Sequence, residues 1–78
     1  MIFHNDNKTT FEFVSYVLIS IFGKSVNEAI TLTLQCDQNG YCIAGDNYVK
    51  DIAETKKTQV LSLARENGFP FQVSVEEM

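Results

Sequence analysis

The sequence predicts an α+β domain, a two-layer sandwich in which helices cover one face of a three-stranded, mostly antiparallel sheet. Three observations predict it. Two Ser/Thr-x-x-Glu sequences, each able to form a capping box, precede apolar residues with helical spacing. Short apolar stretches before, between and after the helical segments are typical of strands. The length of 78 residues fits one domain, so we expect residues 1–78 to fold as a unit with the order β-α-α-β-α-β.

The first strand is predicted at Ile2-Phe3-His4, and the polar turn Asn5-Asp6-Asn7-Lys8 follows it. We expect Thr9 to open the first helix, because Glu12 lies at the capping-box distance from it. Gly23 should end this helix. Its core-facing stripe has i, i+3, i+4, i+7 spacing and comprises Val14, Val17, Leu18 and Ile21.

The second helix is predicted to begin at Ser25, where Glu28 repeats the capping-box spacing, and to end at Asn39-Gly40. Residues 31–34 alternate as a strand would, but the capping box and the length of the segment favour a helix. A short strand at 41–44 and a turn at 45–47 should follow. The residues expected on the apolar face are Ala29, Leu32, Thr33 and Cys36, widened by Ile30 and Leu34.

The third helix is predicted from about Val49 to Asn67, because Gly68 ends it and Pro70 prevents its resumption. Its expected buried side comprises Val49, Ile52, Ala53, Val60, Leu63 and Ala64. In the last strand, Phe71, Val73 and Val75 alternate with Gln72, Ser74 and Glu76. This alternation predicts a strand that buries one face.

The composition excludes several classes of protein. A hydrophobic content of 45% with a net charge of only −4 is too apolar for a disordered chain. No apolar run is long enough to span a membrane. The 10 acidic and 6 basic residues contain no basic block, which argues against nucleic acid and favours a neutral or cationic partner surface. A domain this small also leaves little room for an enzyme cleft.

Cys36, Cys42 and His4 are the residues that could carry nucleophilic or metal chemistry. Nothing in the sequence places the histidine beside either thiol, and zinc needs about four closely spaced ligands. We therefore expect no catalytic residue, no metal and no cofactor. The first residues also lack the basic and apolar regions of a signal peptide. We expect two free thiols in a reducing cytoplasm.

Two polar groups of residues remain open to more than one interpretation. The oxygen acceptors of Asn5-Asp6-Asn7 form either a solvated turn or a site for an ammonium group, held by charge-assisted hydrogen bonds. Asp37 would add a second carboxylate if the fold brings it close. Asp51 and Lys56 belong either to an exposed polar face or to a docking surface, and their spacing does not decide between these.

Three segments share the order and spacing of a known pattern. Residues His4 to Val14 are similar to N-D-D-x-T-P-M-E-F-V, and Gly40-x-Cys-Ile-x-Gly45 is similar to G-x-A-I-C-G. Residues 52–56 and 64–70 are similar to A-E-T-K and A-R-E-N-x-H-P, with one residue inserted around positions 46 and 47. Together these segments resemble the Clp protease adaptor ClpS family over nearly the whole chain.

The resemblance implies an adaptor, not an enzyme. Such adaptors bind N-degrons, proteins whose first residue is Leu, Phe, Tyr or Trp, and hand them to the N-domain of a ClpA- or ClpC-type AAA+ unfoldase for degradation by ClpP. It implies that Asn5 and Asp6 hold the substrate's α-amino group and that Thr9 and Val14 line the pocket. It places Asp51 and Lys56 on the unfoldase-docking face. We expect a monomer that binds neither nucleic acid nor membrane, in the cytoplasm of a bacterium or in an organelle of bacterial origin.

Several positions depart from the family pattern. Asn7 replaces the second Asp, Thr10 replaces Pro, and Phe11 replaces the Met at the pocket gate. Around the pocket, Thr33 and Cys36 replace Met and Val. Asp37 replaces the histidine that helps hold the α-amino group, and Phe71 replaces a leucine.

These departures allow two interpretations. In the first, Asp37 becomes a stronger ammonium partner and the pocket is reshaped, so specificity shifts while recognition survives. In the second, Phe11 and Phe71 fill the pocket with their own rings, and the chain docks on a Clp chaperone or another partner without reading N-degrons. The retained Asn5, Asp6 and Thr9 favour the first. The family also carries a flexible N-terminal extension used in delivery. If the chain is complete from Met1, we expect it either to bind substrates but deliver them poorly or to act as a sequestering module.

Overall fold

The computed structural model describes residues 1–45 and 48–75. Its elements are β1 (Ile2–His4), α1 (Phe11–Ser20), α2 (Val26–Asn39), β2 (Tyr41–Ile43), α3 (Lys50–Glu66) and β3 (Gln72–Ser74). The predicted β-α-α-β-α-β order is confirmed. Most of the predicted turn at 45–47, the inserted position at 46 and 47, and Glu76 lie outside the described residues. None of the helices in the described part of the chain is long and apolar enough to cross a membrane.

The sheet has the strand order β2-β1-β3, and both pairings are antiparallel. At its centre Phe3 lies opposite Cys42 on one side and Val73 on the other, and all three side chains are buried against the helical layer. Residues 5–9, which follow the central strand, therefore lie at one end of the sheet. There the Asn5 amide donates to the Gly40 carbonyl at 2.9 Å, which joins the turn after β1 to the end of α2.

The first helix begins one residue later than the sequence predicts. Thr10, not Thr9, is the capping residue, because its hydroxyl oxygen accepts a hydrogen bond from the Phe13 amide at 3.2 Å. The Thr9 hydroxyl is instead directed to the turn, where it donates to the Asp6 carboxylate at 2.7 Å. The capping-box spacing does not reveal that Asp6 accepts the hydrogen bond of Thr9 and leaves Thr10 to cap the helix.

The second helix begins and ends where predicted. The Ser25 hydroxyl oxygen accepts from the Glu28 amide at 3.2 Å and donates to the Glu28 carboxylate at 3.1 Å. Gly40 follows the last turn with a φ of 83°, in the left-handed region where glycine carries no steric penalty. This turn positions the end of α2 beside the turn after β1.

An aromatic cluster holds the two layers together. The Phe3 ring makes edge contacts with Phe22 at 5.4 Å and Phe71 at 4.9 Å between ring centroids. Phe13 lies edge-on to Phe71 at 6.0 Å and to Phe69 at 5.0 Å. Aromatic side chains bury large areas, so these contacts give a small domain a sizeable core.

Four apolar residues predicted on buried helix faces are instead exposed. Ile30 and Leu34 on α2 are 41% and 44% exposed, and Val49 and Ile52 at the start of α3 are 63% and 48% exposed. The predicted burial of these residues was wrong because a helix in a two-layer fold buries only one narrow stripe. On α2 this stripe consists of Ala29, Thr33 and Cys36.

Candidate functional site

The turn after β1 is organised by the Asp6 carboxylate. One oxygen accepts from the backbone amides of Lys8 at 2.8 Å and Thr9 at 2.7 Å. The other accepts from the Thr9 hydroxyl at 2.7 Å. A carboxylate held by three donors has little freedom to turn, so its position is set before any ligand arrives.

These hydrogen bonds also keep Asp6 ionised. Burial alone would raise the pKa of this carboxyl, but donation from the Thr9 hydroxyl and from the amides of Thr9 and Lys8 outweighs burial and lowers the pKa. Asp6 is therefore a fixed negative charge at neutral pH. A carboxylate offers about four lone-pair positions, of which three are occupied here.

A cavity of about 310 Å³ lies between this turn and the first two helices. Its lining residues are Asn5, Asp6, Asn7, Thr9, Thr10, Phe11, Val14, Thr33, Cys36 and Asp37. Val14, Thr33 and Cys36 are buried and form its floor. The rim is polar apart from the Phe11 side chain, which is 40% exposed.

Eight residues that the sequence singled out line this one cavity: Asn5, Asp6, Thr9, Phe11, Val14, Thr33, Cys36 and Asp37. The exception is Phe71, which was expected among the pocket residues. Its ring packs against Phe3 and Phe13 in the core and borders a different cavity with Phe69 and Pro70. The aromatic cluster takes up the ring, so Phe71 does not obstruct the space beside Asn5 and Asp6.

The carboxylates of Asp6 and Asp37 give this cavity a negative electrostatic potential. Burial raises the pKa of the Cys36 thiol, its hydrogen bond with Cys42 offsets part of this, and the charges of Asp37 and Asp6 raise the pKa further. Both carboxylates thus act on the same point of the cavity floor. Among the described lining residues there is no lysine, arginine or histidine. The cavity is suited to a cation.

Sequence reasoning missed Ser15, whose hydroxyl contacts a residue of the cavity floor. Its hydroxyl lies 2.9 Å from the hydroxyl of Thr33, a lining residue, and this contact joins α1 to α2. The only feature of the sequence that could have indicated a role for Ser15 was its distance of four residues from Phe11, which places both on one face of α1. Nothing in one sequence pairs it with a residue of the next helix.

The cysteines and the histidine do not assemble a nucleophilic pair. The Cys36 thiol donates to the Phe3 carbonyl at 3.7 Å, and burial raises the pKa of Cys42 to about 12. His4 instead meets the Ser74 hydroxyl, with its Nε2 at 2.7 Å. Both cysteines are buried free thiols, and they pack as small apolar side chains.

The predicted docking residues lie on α3, away from the cavity. Asp51 and Lys56 line a depression of about 310 Å³ together with Ile52, Thr55 and Gln59. The Lys56 ammonium also donates to the Ile21 carbonyl at 2.7 Å, at the end of α1. It lies 5.4 Å from the ring centroids of both Phe22 and Tyr48. Lys56 is thus a structural cap for α1 as well as a surface charge.

Comparisons with known proteins agree with the geometry. The sequence model of a family described as ATP-dependent Clp protease adaptor protein ClpS matches residues 1–74. A ClpS adapter from Desulforapulum autotrophicum is 43% identical over 77 residues, which are 99% of this chain and 73% of that protein. One from Treponema denticola is 49% identical over 74 residues, or 95% of this chain and 72% of that protein.

A solved structure has the same fold. Agrobacterium tumefaciens ClpS2 bound to L-phenylalaninamide superposes with a TM-score of 0.88 and 31% sequence identity. The match covers 96% of this chain and 89% of the other.

Proposed function

This chain belongs to the ClpS family of ATP-dependent Clp protease adaptors, and from that premise we propose that it binds N-degron substrates and delivers them to a Clp protease. The observation that carries the proposal is the open cavity at the end of the central strand, where a pre-positioned carboxylate faces a buried floor. The first residue of a substrate would place its α-ammonium group at the rim and its side chain in the cavity.

The ammonium group would be shared among three residues. Asp6 has about one lone-pair position free after its three internal hydrogen bonds. An ammonium group has three donors, so Asn5 and Asp37 on the same rim would accept the others. Charge-assisted hydrogen bonds of this kind are about twice as strong as neutral ones.

This arrangement distinguishes the end of a chain from its interior. An internal or acetylated residue has no positive charge, and it would leave the free lone-pair position of Asp6 and the acceptors of Asn5 and Asp37 without a donor from the ligand. Unpaired polar groups in a partly buried site carry a desolvation cost, so such ligands are rejected strongly. L-phenylalaninamide, the ligand of the Agrobacterium protein, has a free α-amino group and an aromatic side chain, which is the chemistry proposed here.

Delivery requires a second surface, which we assign to the depression containing Asp51 and Lys56 on α3. Its partner would be the N-domain of a ClpA- or ClpC-type AAA+ unfoldase in the bacterial cytoplasm. The exposed Val49 and Ile52 side chains add apolar area beside these charges. The domain of residues 1–78 would act as a monomer, holding the substrate on one side and the unfoldase on another, without catalysing a reaction.

A docking module without N-degron recognition is the alternative. It required the Phe11 and Phe71 rings to fill the pocket. The core position of Phe71 and the exposure of Phe11 at the rim favour binding instead.

Fluorescence anisotropy tests the proposal. Labelled peptides beginning with Leu, Phe, Tyr or Trp should bind, whereas the same peptides with an acetylated N-terminus or an initial Gly should not. Affinity that is absent, or equal across free and acetylated peptides, would refute N-degron recognition. Capture of an unfoldase N-domain by a chain that binds none of these peptides would favour the alternative.

A further inference from the structure

The floor of the candidate site is more polar than a pocket for a purely hydrophobic side chain requires. Of its three buried residues, Val14 carries only methyl groups, whereas Thr33 carries a hydroxyl and Cys36 a thiol. Pockets that bind apolar groups are lined mainly by hydrophobic and aromatic side chains. The two polar floor groups are therefore a specific feature that needs a chemical reason.

The direction of the hydrogen bonds at Thr33 leaves one acceptor position. Its hydroxyl donates to the Ala29 carbonyl at 2.6 Å, which uses its single proton. The Ser15 hydroxyl, 2.9 Å away, must then donate to the Thr33 oxygen. A hydroxyl oxygen has two lone pairs, so one remains for a ligand. Thr33 can accept one more hydrogen bond but has no proton left to donate.

Cys36 leads to the same conclusion. Its thiol proton is directed to the Phe3 carbonyl at 3.7 Å, and its sulfur accepts from the Cys42 thiol, so Cys36 has no proton left for a ligand. Neither polar group of the floor offers a free proton. A ligand side chain that reaches this floor is therefore most complementary to it when its tip carries a hydrogen-bond donor.

We infer that this cavity selects an N-terminal tyrosine over an N-terminal phenylalanine, because the Thr33 hydroxyl oxygen accepts a hydrogen bond from the phenol. The two side chains share one ring and differ in one donor. Phenylalanine would exclude water from the remaining Thr33 lone pair without donating a hydrogen bond to it, whereas tyrosine would donate one. The inference rests on the proposed function, since the ring reaches the floor only when the α-amino group is held at Asn5 and Asp6.

Three peptides that differ only in their first residue test this preference. They begin with tyrosine, phenylalanine or 4-fluorophenylalanine, which has a similar shape to tyrosine but no donor. By fluorescence anisotropy the tyrosine peptide should bind about three- to tenfold more tightly than the other two, the ratio expected of one hydrogen bond. Equal affinities, or tighter binding of phenylalanine, would overturn the inference while leaving N-degron recognition intact. Absence of binding for all three would overturn the proposed function with it.

Two variants identify the residue responsible. Thr33→Val keeps the shape of the side chain and removes its hydroxyl, so tyrosine affinity should fall to the phenylalanine value while phenylalanine affinity is unchanged or higher. Ser15→Ala removes the neighbouring hydroxyl but keeps the Thr33 oxygen, and the tyrosine preference should remain. A preference that survives Thr33→Val would refute the assignment to Thr33. If that variant does not fold, the ratio between tyrosine and 4-fluorophenylalanine in the unaltered chain still decides the selectivity.

Discussion

Replacing Asp6 by asparagine separates the charge of the proposed site from its shape. The asparagine oxygen can accept the same hydrogen bonds from the Lys8 and Thr9 amides, which are 2.8 and 2.7 Å long in the native turn. The hydroxyl of Thr9 can rotate to accept from the new NH2 group instead of donating. The turn should therefore persist while the negative charge that attracts an ammonium group is lost.

The size of the effect follows from the kind of bond that is changed. The free lone pair of Asp6 lies on the oxygen bonded to the Thr9 hydroxyl, which Asp6→Asn replaces with an NH2 group that cannot accept from an ammonium group. The variant therefore loses a whole hydrogen bond to a charged group, which contributes about 1.5–3 kcal/mol. This loss corresponds to roughly 10- to 150-fold weaker binding of a free N-terminus. The folding free energy should change by less than about 1 kcal/mol, because the backbone hydrogen bonds of the turn are retained.

Fluorescence anisotropy with a phenylalanine-initial peptide measures the affinity, and thermal denaturation measures stability. Glu66→Gln is the matched control, since it removes one exposed carboxylate at the end of α3, away from the cavity. The control should bind peptide as the native chain does. Native affinity in Asp6→Asn would show that the ammonium group is held elsewhere and would refute the reasoning.

The pH dependence of Asp6 has a defined sign. Its pKa is lowered in the folded chain because donation by Thr9 and Lys8 outweighs burial, relative to an ordinary value of 3.8. Its contribution to stability is then complete above that value and is lost as pH falls through the lower folded pKa. Between pH 5 and 7 neither stability nor peptide affinity should change through Asp6. Affinity should fall above about pH 8, where a peptide's α-amino group loses its proton.

Three further variants or treatments have expected outcomes. Asp37→Asn should weaken peptide binding about two- to fivefold, less than Asp6→Asn, because Asp37 is exposed and its charge is screened, and added salt should shrink the difference; an unchanged affinity would place Asp37 outside the site. Lys56→Met should lower the melting temperature by several degrees, since it removes the hydrogen bond to Ile21 and the ammonium beside two rings, whereas Lys57→Met should change it little; equal melting temperatures would contradict the capping role. Iodoacetamide at pH 8 should label neither Cys36 nor Cys42 in the folded chain and both in denaturant, because burial raises both thiol pKa values; rapid labelling of the native chain, followed by mass spectrometry, would contradict this burial.

The element order could be predicted because it rests on local signals. Ser25 and Gly40 bound α2 by capping chemistry that is written in adjacent residues, and the structure confirms both. Thr9 was misassigned as the cap of α1 for an equally local reason. Two threonines stood side by side, and the choice between them depends on the Asp6 carboxylate, which takes the Thr9 hydroxyl.

Burial was harder to predict than secondary structure. The helical spacing of apolar residues does not state how wide a stripe the neighbouring layer will cover, so Ile30 and Leu34 were expected inside and lie at the surface. Phe71 was correctly expected on the inward face of the last strand. Its contacts with Phe3 and Phe13 direct it into the core, away from the cavity, and those contacts join residues far apart in the chain.

The sequence predicted which residues form the site but not the hydrogen bonds between them. Asn5, Asp6 and Asp37 were identified by residue type and by resemblance, and they line one cavity. The hydrogen bond between Ser15 and Thr33, which determines what the floor can accept, joins two helices and has no local signature. The capping contact between Lys56 and Ile21 is equally non-local, so a residue predicted only as a docking charge also stabilises α1.

The central claim is that the cavity beside Asp6 holds a substrate's N-terminus, and a ¹⁵N-edited NMR titration tests it most directly. Adding a peptide with a free, bulky first residue should shift the amide signals of Asn5, Asp6, Thr33 and Asp37, and its acetylated counterpart should leave them in place. A second cavity of about 430 Å³, lined by residues that include Lys24, Leu32 and Ile43, provides an internal comparison. Shifts confined to that cavity, or equal shifts with both peptides, would contradict the account.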